Sequence, residues 1–146
     1  MFMLGALPKA IHLLGATIWI GGMFFALLVL RPSLSVLEPA QRLALHGQVF
    51  RRFFLIVWHA MPLVLLSGYV MLFTVYGGFA GASPYIHVMH LTGLIMAGVF
   101  MWIFFGPWKR FRADPASRPE AANEIRKLIL VNLVLGLFTI AIAAFA

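Results

Sequence analysis

The chain has 146 residues, of which 63% are hydrophobic and 10% charged, with a formal net charge of +7 and no cysteine. Its mean hydropathy is +1.00. An average soluble domain is about 45–50% apolar and about 25% charged. The 11 basic and 4 acidic side chains therefore cannot cover such a core in water, and a soluble enzyme, a disordered chain and a nucleic-acid-binding domain are excluded. The lack of cysteine removes disulfides, thiolate metal sites, iron–sulfur clusters and a cysteine nucleophile. What is left is an integral membrane protein whose solvent is the lipid bilayer.

A bilayer core of about 30 Å takes roughly 20 apolar residues per helix. The first charge-free run, Ala10 to Leu30, ends at Arg31-Pro32 and predicts a span over 8–30. It is longer than the apolar part of a signal peptide and no cleavage site follows it, so it reads as a retained helix. From Phe53 to Trp108 there is no charged residue. Gly77-Gly78-Phe79-Ala80-Gly81-Ala82-Ser83-Pro84 breaks this run with turn formers, which predicts spans over 53–76 and 85–107. A fourth span covers 126–146. Backbone groups in lipid must be satisfied within the segment, so the expected fold is all-α: one transmembrane domain, 1–146, built as a four-helix bundle. Glu38-Pro39 reads as a helix start leading to the second span. Ser117-Arg118-Pro119-Glu120 has capping-box spacing ahead of the fourth.

Charge placement predicts orientation. Arg31, Arg42, Arg51 and Arg52 lie in the first connection, and Lys109, Arg110, Arg112, Arg118, Arg126 and Lys127 lie in or beside the third, leaving only Lys9 elsewhere. By the positive-inside rule, 31–52 and 109–127 are cytoplasmic. Both termini and the 77–84 turn then face the periplasm of a bacterial inner membrane. Anionic headgroups are the expected partners of the basic loops.

Ionisable residues inside a span are costly and usually functional. Four of the five histidines, His12, His59, His87 and His90, lie in predicted spans, while His46 lies in a connection. At about 1.5 Å per residue, His12, His87 and His90 fall within roughly 5–10 Å of the same membrane face, and His59 some 20 Å deeper. Two imidazoles facing each other across a bundle suit a b-type haem, with apolar walls around the ring. His12, Gly15, Trp19, Gly22 and Ala26 form one face of the first helix: its glycines would admit a flat macrocycle and Trp19 would wall it. Small residues at this spacing equally serve helix packing. His87-Val88-Met89-His90 sets thioether and imidazole side by side, a combination that suits copper, with His59 as a further ligand. Asn132, Gly136, Thr139 and Ala143 read as a packing seam, and Pro62 as a kink with freed carbonyls. The acids Glu38, Asp114, Glu120 and Glu124 all lie in or beside the connections, so no paired-carboxylate chemistry is expected.

Lys9-Ala10-Ile11-His12, then Trp19-Ile20-Gly21-Gly22 and Leu30-Arg31-Pro32, resemble the first helix of copper-resistance protein D (CopD) domains and the start of HemJ-type protoporphyrinogen oxidases. Tyr85-Ile86-His87-Val88-Met89 resembles the HemJ pattern of aromatic, Leu, His, any residue, Lys. Arg51-Arg52, Arg126 and Asn132 also fit. The resemblance implies a four-helix membrane core, with haem b on the HemJ side and copper handling on the CopD side. It carries over His12 and His87 as the matching histidines. Met89 stands where the HemJ pattern has lysine, which counts against protoporphyrinogen oxidation.

Three readings follow. The first is a b-type haem protein in electron transfer or oxidation, with His12 and His87 as axial ligands, His90 as substitute, Trp19, Gly15 and Gly22 around the ring, and a membrane quinone or redox protein as partner. The second is a CopD-like copper transport or tolerance protein using His87, Met89, His90 and His12. The third is an assembly partner without a cofactor. Self-association into a homo-oligomer is compatible with all three.

Overall fold

The computed structural model describes residues 2–146, with side chains from Gly5 onward. Four long helices carry the fold: α1 (Phe2–Phe25), α2 (Pro39–Thr74), α3 (Pro84–Phe105) and α4 (Arg118–Ala143). Four helical stretches are long and apolar enough to cross a bilayer: Gly5–Val36, Pro39–Thr74, Pro84–Ala113 and Pro115–Ala143. The protein is an all-α, multi-pass membrane bundle. Leu13, Leu14, Ile18, Leu55, Leu66, Trp102 and Phe105 stay exposed on its outside, as a helix surface immersed in lipid requires.

Neighbouring helices run antiparallel. Gly15 of α1 meets Val64 of α2, and Gly22 meets Phe53. Tyr69 of α2 meets His90 of α3, and Phe54 lies against Trp108. Asn132 of α4 bonds Met96, and Thr139 bonds Thr92. Around the bundle the order is α1, α2, α3, α4. The closest pairings are α1 with α2 and α3 with α4, and α1 and α3 occupy the long diagonal. Ten of the eleven basic residues therefore collect at one end, and Lys9 stands at the other. The core is continuous from Trp19, Ile20 and Met23 through Phe54 and Val57 to Met96, Phe100, Ile125 and Ile129.

The helix ends correct several boundaries. α1 begins at Phe2, so Pro8 lies inside the helix, in its second turn, where it leaves one intrahelical N–H bond unmade rather than starting the helix. At its other end Arg31-Pro32 does not stop the chain: a π-helical turn, Ala26–Leu30, carries it into Arg31–Ser33 and a 3₁₀ turn, Leu34–Val36. A proline clashes with the carbonyl four residues earlier, and the wider turn makes room before Pro32. Most of the 31–52 connection is α2 itself. It starts at Pro39 behind a capping box in which Glu38 and Gln41 satisfy each other's backbone N–H groups, and it runs helical through Pro62. The 77–84 turn contains a short helix, Gly78–Gly81, entered through left-handed Gly77 and Gly78 (φ 74° and 78°), which only glycine adopts cheaply. Gly106 ends α3, and a short helix, Pro107–Ala113, follows.

The fourth helix starts at Arg118, well before 126, as its capping signal suggested, but the capping box does not form. Ser117 is itself helical (φ −86°, ψ −7°) and makes no cap bond to α4. Its hydroxyl instead donates to Asp114 (2.6 Å), whose other oxygen accepts from the Ala116 N–H (3.0 Å). Asp114 thus caps a 3₁₀ turn that the spacing did not reveal.

Candidate functional site

The histidines are best placed by what their rings touch. His12 lies across the α1–α2 interface. Its Nδ1–H donates to the Val64 carbonyl (2.9 Å), with Ser67 Oγ 3.3 Å away. Ser67 is buried and donates within α2 to the Leu63 carbonyl (2.5 Å). The ring rests over Gly68, where a Cβ would come within 3.2 Å of its Cε1. A carbonyl accepts only from a protonated nitrogen, so this bond fixes the tautomer and leaves Nε2 with its lone pair, the arrangement that prepares a histidine to bind a metal.

His90 projects from α3 onto the next residue of α2. Its Nε2 is 3.1 Å from the Tyr69 hydroxyl, with the two rings edge to face at 4.9 Å. His87, one turn earlier and exposed, stacks on Phe79 at 6.3 Å, and Phe79 meets the edge of His90 at 5.6 Å and of Phe73 at 5.8 Å. Met89 lies half-buried between the two histidines in sequence. Because His12 sits over Gly68 and His90 on Tyr69, the shared depth expected of them is what the structure has. They nevertheless flank α2 on different sides.

The expected haem seat between α1 and α3 does not fit this packing. The two helices stand on the long diagonal, and the α1 face meant for the ring is filled by α2. A Cβ on Gly15 would fall 2.6 Å from Val64 Cγ2, and one on Gly22 would fall 2.5 Å from Phe53 Cε2. Trp19 is a core residue, 3% exposed. The glycine stripe is a helix-packing seam, since removing side chains lets two backbones approach. The α4 stripe is likewise a seam. Asn132 Nδ2 donates to the Met96 carbonyl (3.0 Å), Gly136 admits Ile20 and Met96, and the Thr139 and Thr92 hydroxyls lie 2.6 Å apart.

His59 is exposed and bonds its own helix, Nδ1–H to the Leu55 carbonyl (2.8 Å). It lies five to nine residues from the stretch of α2 that His12 touches, or about 10 Å, rather than the 20 Å expected from span ends. The difference arises because α1 starts at Phe2 rather than near Pro8, so His12 lies ten residues into its helix and deeper in the bundle. Tyr69, Phe79, Ser67 and Gly68 went unnoticed in the sequence, although a tyrosine and a Ser-Gly pair inside an apolar run are visible signals. Among the described residues, no three His, Cys, Asp or Glu side chains converge on one point.

What gathers at this end is therefore a set of nitrogen, sulfur and phenol donors. They are imidazoles, a thioether and a phenol, with all four Asp and Glu side chains at the far end. The family model described as copper resistance protein D matches residues 47–146. The chain belongs to this family. The match takes in α3, α4 and α2 from Gly47 onward, including His59, His87, Met89 and His90, and it leaves α1 with His12, Gly15, Trp19 and Gly22 outside. Membership makes this a copper-resistance-related membrane protein. No curated protein and no solved structure matches the chain.

Proposed function

We propose that the protein captures copper ions at the end of the bundle opposite its arginines and conveys them in copper transport or tolerance. The observation that carries this reading is the cluster in which His90, Tyr69, Phe79 and His87 meet, inside the stretch that matches the family. Imidazole and thioether ligands suit copper, and thioethers select Cu(I) in particular. A site without carboxylates also gives no advantage to hard divalent ions. His90 Nε2 is the first ligand. The ion displaces the Tyr69 hydroxyl from it, and His87, one turn away on the same side of α3, supplies a second donor, while Met89, two residues from His87, lies on another face. His12 offers the lone pair of Nε2 on the other side of α2. Two or three ligands with no carboxylate among them hold an ion loosely enough to release it, which a transported cargo needs.

The positive-inside rule puts the arginine-rich end in the cytoplasm and the histidine end in the periplasm of a bacterial inner membrane. Copper would thus be met from outside. Beyond the cluster, Met23, Met61 and Met96 are buried in the core. They are soft side chains, and the bundle would have to loosen for an ion to reach them.

The test is the copper content of the purified protein, by elemental analysis, with cell growth across a copper series. Wild type should bind copper in stoichiometric amount. His90→Ala and His87→Ala should weaken binding about tenfold or more, as the loss of one ligand worth at least about 1.4 kcal/mol would do, and should change copper tolerance. A protein that carries no copper, shows no copper-dependent growth and instead has a Soret band that His12→Ala removes would overturn the reading in favour of haem b.

A further inference from the structure

At the arginine-rich end, α1, α2 and α4 part around a cavity of about 710 Å³ lined by Arg31, Arg42, His46 and Arg126 over an apolar floor of Leu27, Leu43 and Ala122. Its shape follows from the chain. The α1–α2 connection passes through a π-helical turn ahead of Arg31 and a 3₁₀ turn behind it, and its Pro32, Leu34 and Ser35 form one wall. Arg42 holds that connection open by donating from Nε to the Leu37 carbonyl (2.7 Å) and from a terminal nitrogen to the Ser35 carbonyl (3.2 Å).

No acid answers this charge. Glu38 is engaged in the α2 capping box, Asp114 caps the turn before α4, Glu124 pairs with Arg110, and Glu120 is exposed in the first turn of α4. None of the four lines the cavity. Arg126 donates to Asn123 (3.1 Å) through one terminal nitrogen, while its Nε is buried without a partner. Arg31 and Arg126 lie close enough to act on each other and on His46. A buried donor left unmade costs free energy, and three like charges at one cavity repel. The N-termini of α2 and α4 add positive potential at this end. Each of these terms is relieved by one kind of ligand, an anion with several acceptor oxygens.

We infer that this cavity is a binding site for an anionic phosphate group, one whose charge is not neutralised by a cation in the same headgroup. The arginines pair with its oxygens bidentately, and the apolar floor of Leu27, Leu43 and Ala122 suits the first carbons of an acyl chain. A basic pocket between helices at the headgroup level is where acidic phospholipids are held. The phosphate therefore comes either from a phosphatidylglycerol-type lipid or from the free ion. The inference does not depend on copper handling, and its test contains no copper.

The experiment is native mass spectrometry of the full chain released from detergent micelles, titrated with phosphatidylglycerol, phosphatidylcholine or inorganic phosphate. Wild type should bind one phosphatidylglycerol saturably and at least about tenfold more tightly than phosphatidylcholine. Arg31→Gln and Arg126→Gln should each lose about tenfold, the scale of one charged hydrogen bond. Lys109→Gln and Lys127→Gln remove the same charge from exposed positions and should stay within about twofold. Displacement of the lipid by millimolar inorganic phosphate assigns the site to the phosphate group alone. Retention of the lipid assigns it to headgroup and chains together, and either result supports the site. Wild type without preference for either anionic phosphate over the zwitterionic phosphatidylcholine would overturn it, whatever the variants do. So would equal losses in all four variants, which would reduce the binding to net charge.

Discussion

At the arginine-rich end, α2 is joined by rings to α3 and to the short helix behind it: Trp58 against Phe104 at 5.2 Å and Phe100 at 5.4 Å of α3, and Phe54 against Trp108 at 5.3 Å and Phe50 against Phe111 at 6.2 Å of the short helix. At the opposite end α2 and α3 meet through the Tyr69–His90 hydrogen bond, with Phe79 leaning on both histidines. Arg112 lies over the Phe104 and Trp108 rings, and Arg118 over Phe111, so even the charges of the first region are built into its aromatic packing. Aromatic pairs add about 0.5–1.5 kcal/mol beyond the area they bury, whereas a hydrogen bond between membrane helices averages about 0.6 kcal/mol. One half of the bundle is made for rigidity. The other is held by weaker polar contacts that a ligand can replace, and the copper site is proposed there.

Phe54 offers the sharpest way to break this contrast. It is 1% exposed and touches Phe50, Phe100 and Trp108. Phe54→Ala should lose about 3–5 kcal/mol in denaturant unfolding from micelles. Phe73→Ala at the far end, 60% exposed, should lose no more than about 1 kcal/mol. Comparable losses at the two positions would sink the distinction.

Next in size comes the glycine seam. Gly15→Val should cost about 1–3 kcal/mol by overpacking against Val64. Gly98→Ala, where a Cβ meets nothing within 4 Å, should be neutral or stabilise by up to about 1 kcal/mol. The pair is read by thermal unfolding of the two variants side by side, and a tolerated Gly15→Val would mean that α1 is not seated on α2 as described.

A smaller effect belongs to Thr139→Val, which removes the hydroxyl contact with Thr92 across the α3–α4 seam. About 0.6 kcal/mol is expected, and a loss of several kcal/mol would show that the polar end is the stiffer one.

The smallest effect concerns Asp114, outside the spanning helices. The Ser117 hydroxyl and the Ala116 N–H hold its carboxyl below the usual carboxylate range. A depressed folded-state pKa means that the stabilisation is complete above the ordinary carboxyl value and disappears as pH falls through the depressed one. Protection of the Ala116 amide, measured by hydrogen exchange relative to its intrinsic rate, should weaken on acidification in wild type and be insensitive to pH in Asp114→Asn.

Much of this molecule was legible beforehand. Runs such as Phe53 to Trp108, which carry no charge, specify helices because lipid offers the backbone no other partner. The Gly77–Pro84 break specifies where the second and third helices turn. The α4 seam was legible too, since Asn132, Gly136 and Thr139 recur at helical spacing. The shared depth of His12 and His90 followed from counting residues. The partners of those histidines were not legible. Spacing along α1 places His12, Gly15, Trp19 and Gly22 on one face, but it cannot say whether that face meets a cofactor or another helix. Gly15 and Gly22 lie against Val64 and Phe53, and Trp19 lies in the core.

The sequence by itself determined a basic, cysteine-free, four-helix membrane protein with its arginines at one end and its histidines chiefly at the other, because both the transfer of side chains into lipid and the rise of a helix are properties of single segments. Only the tertiary structure decided that α1 and α3 stand on a diagonal, that His12 answers to Val64 and His90 to Tyr69, and that Arg31 and Arg126 share a cavity no carboxylate enters. Those depend on which faces of which helices meet, and that is settled by the fit of Gly15 to Val64, Gly136 to Ile20 and Phe54 to Trp108 across segments far apart in the chain.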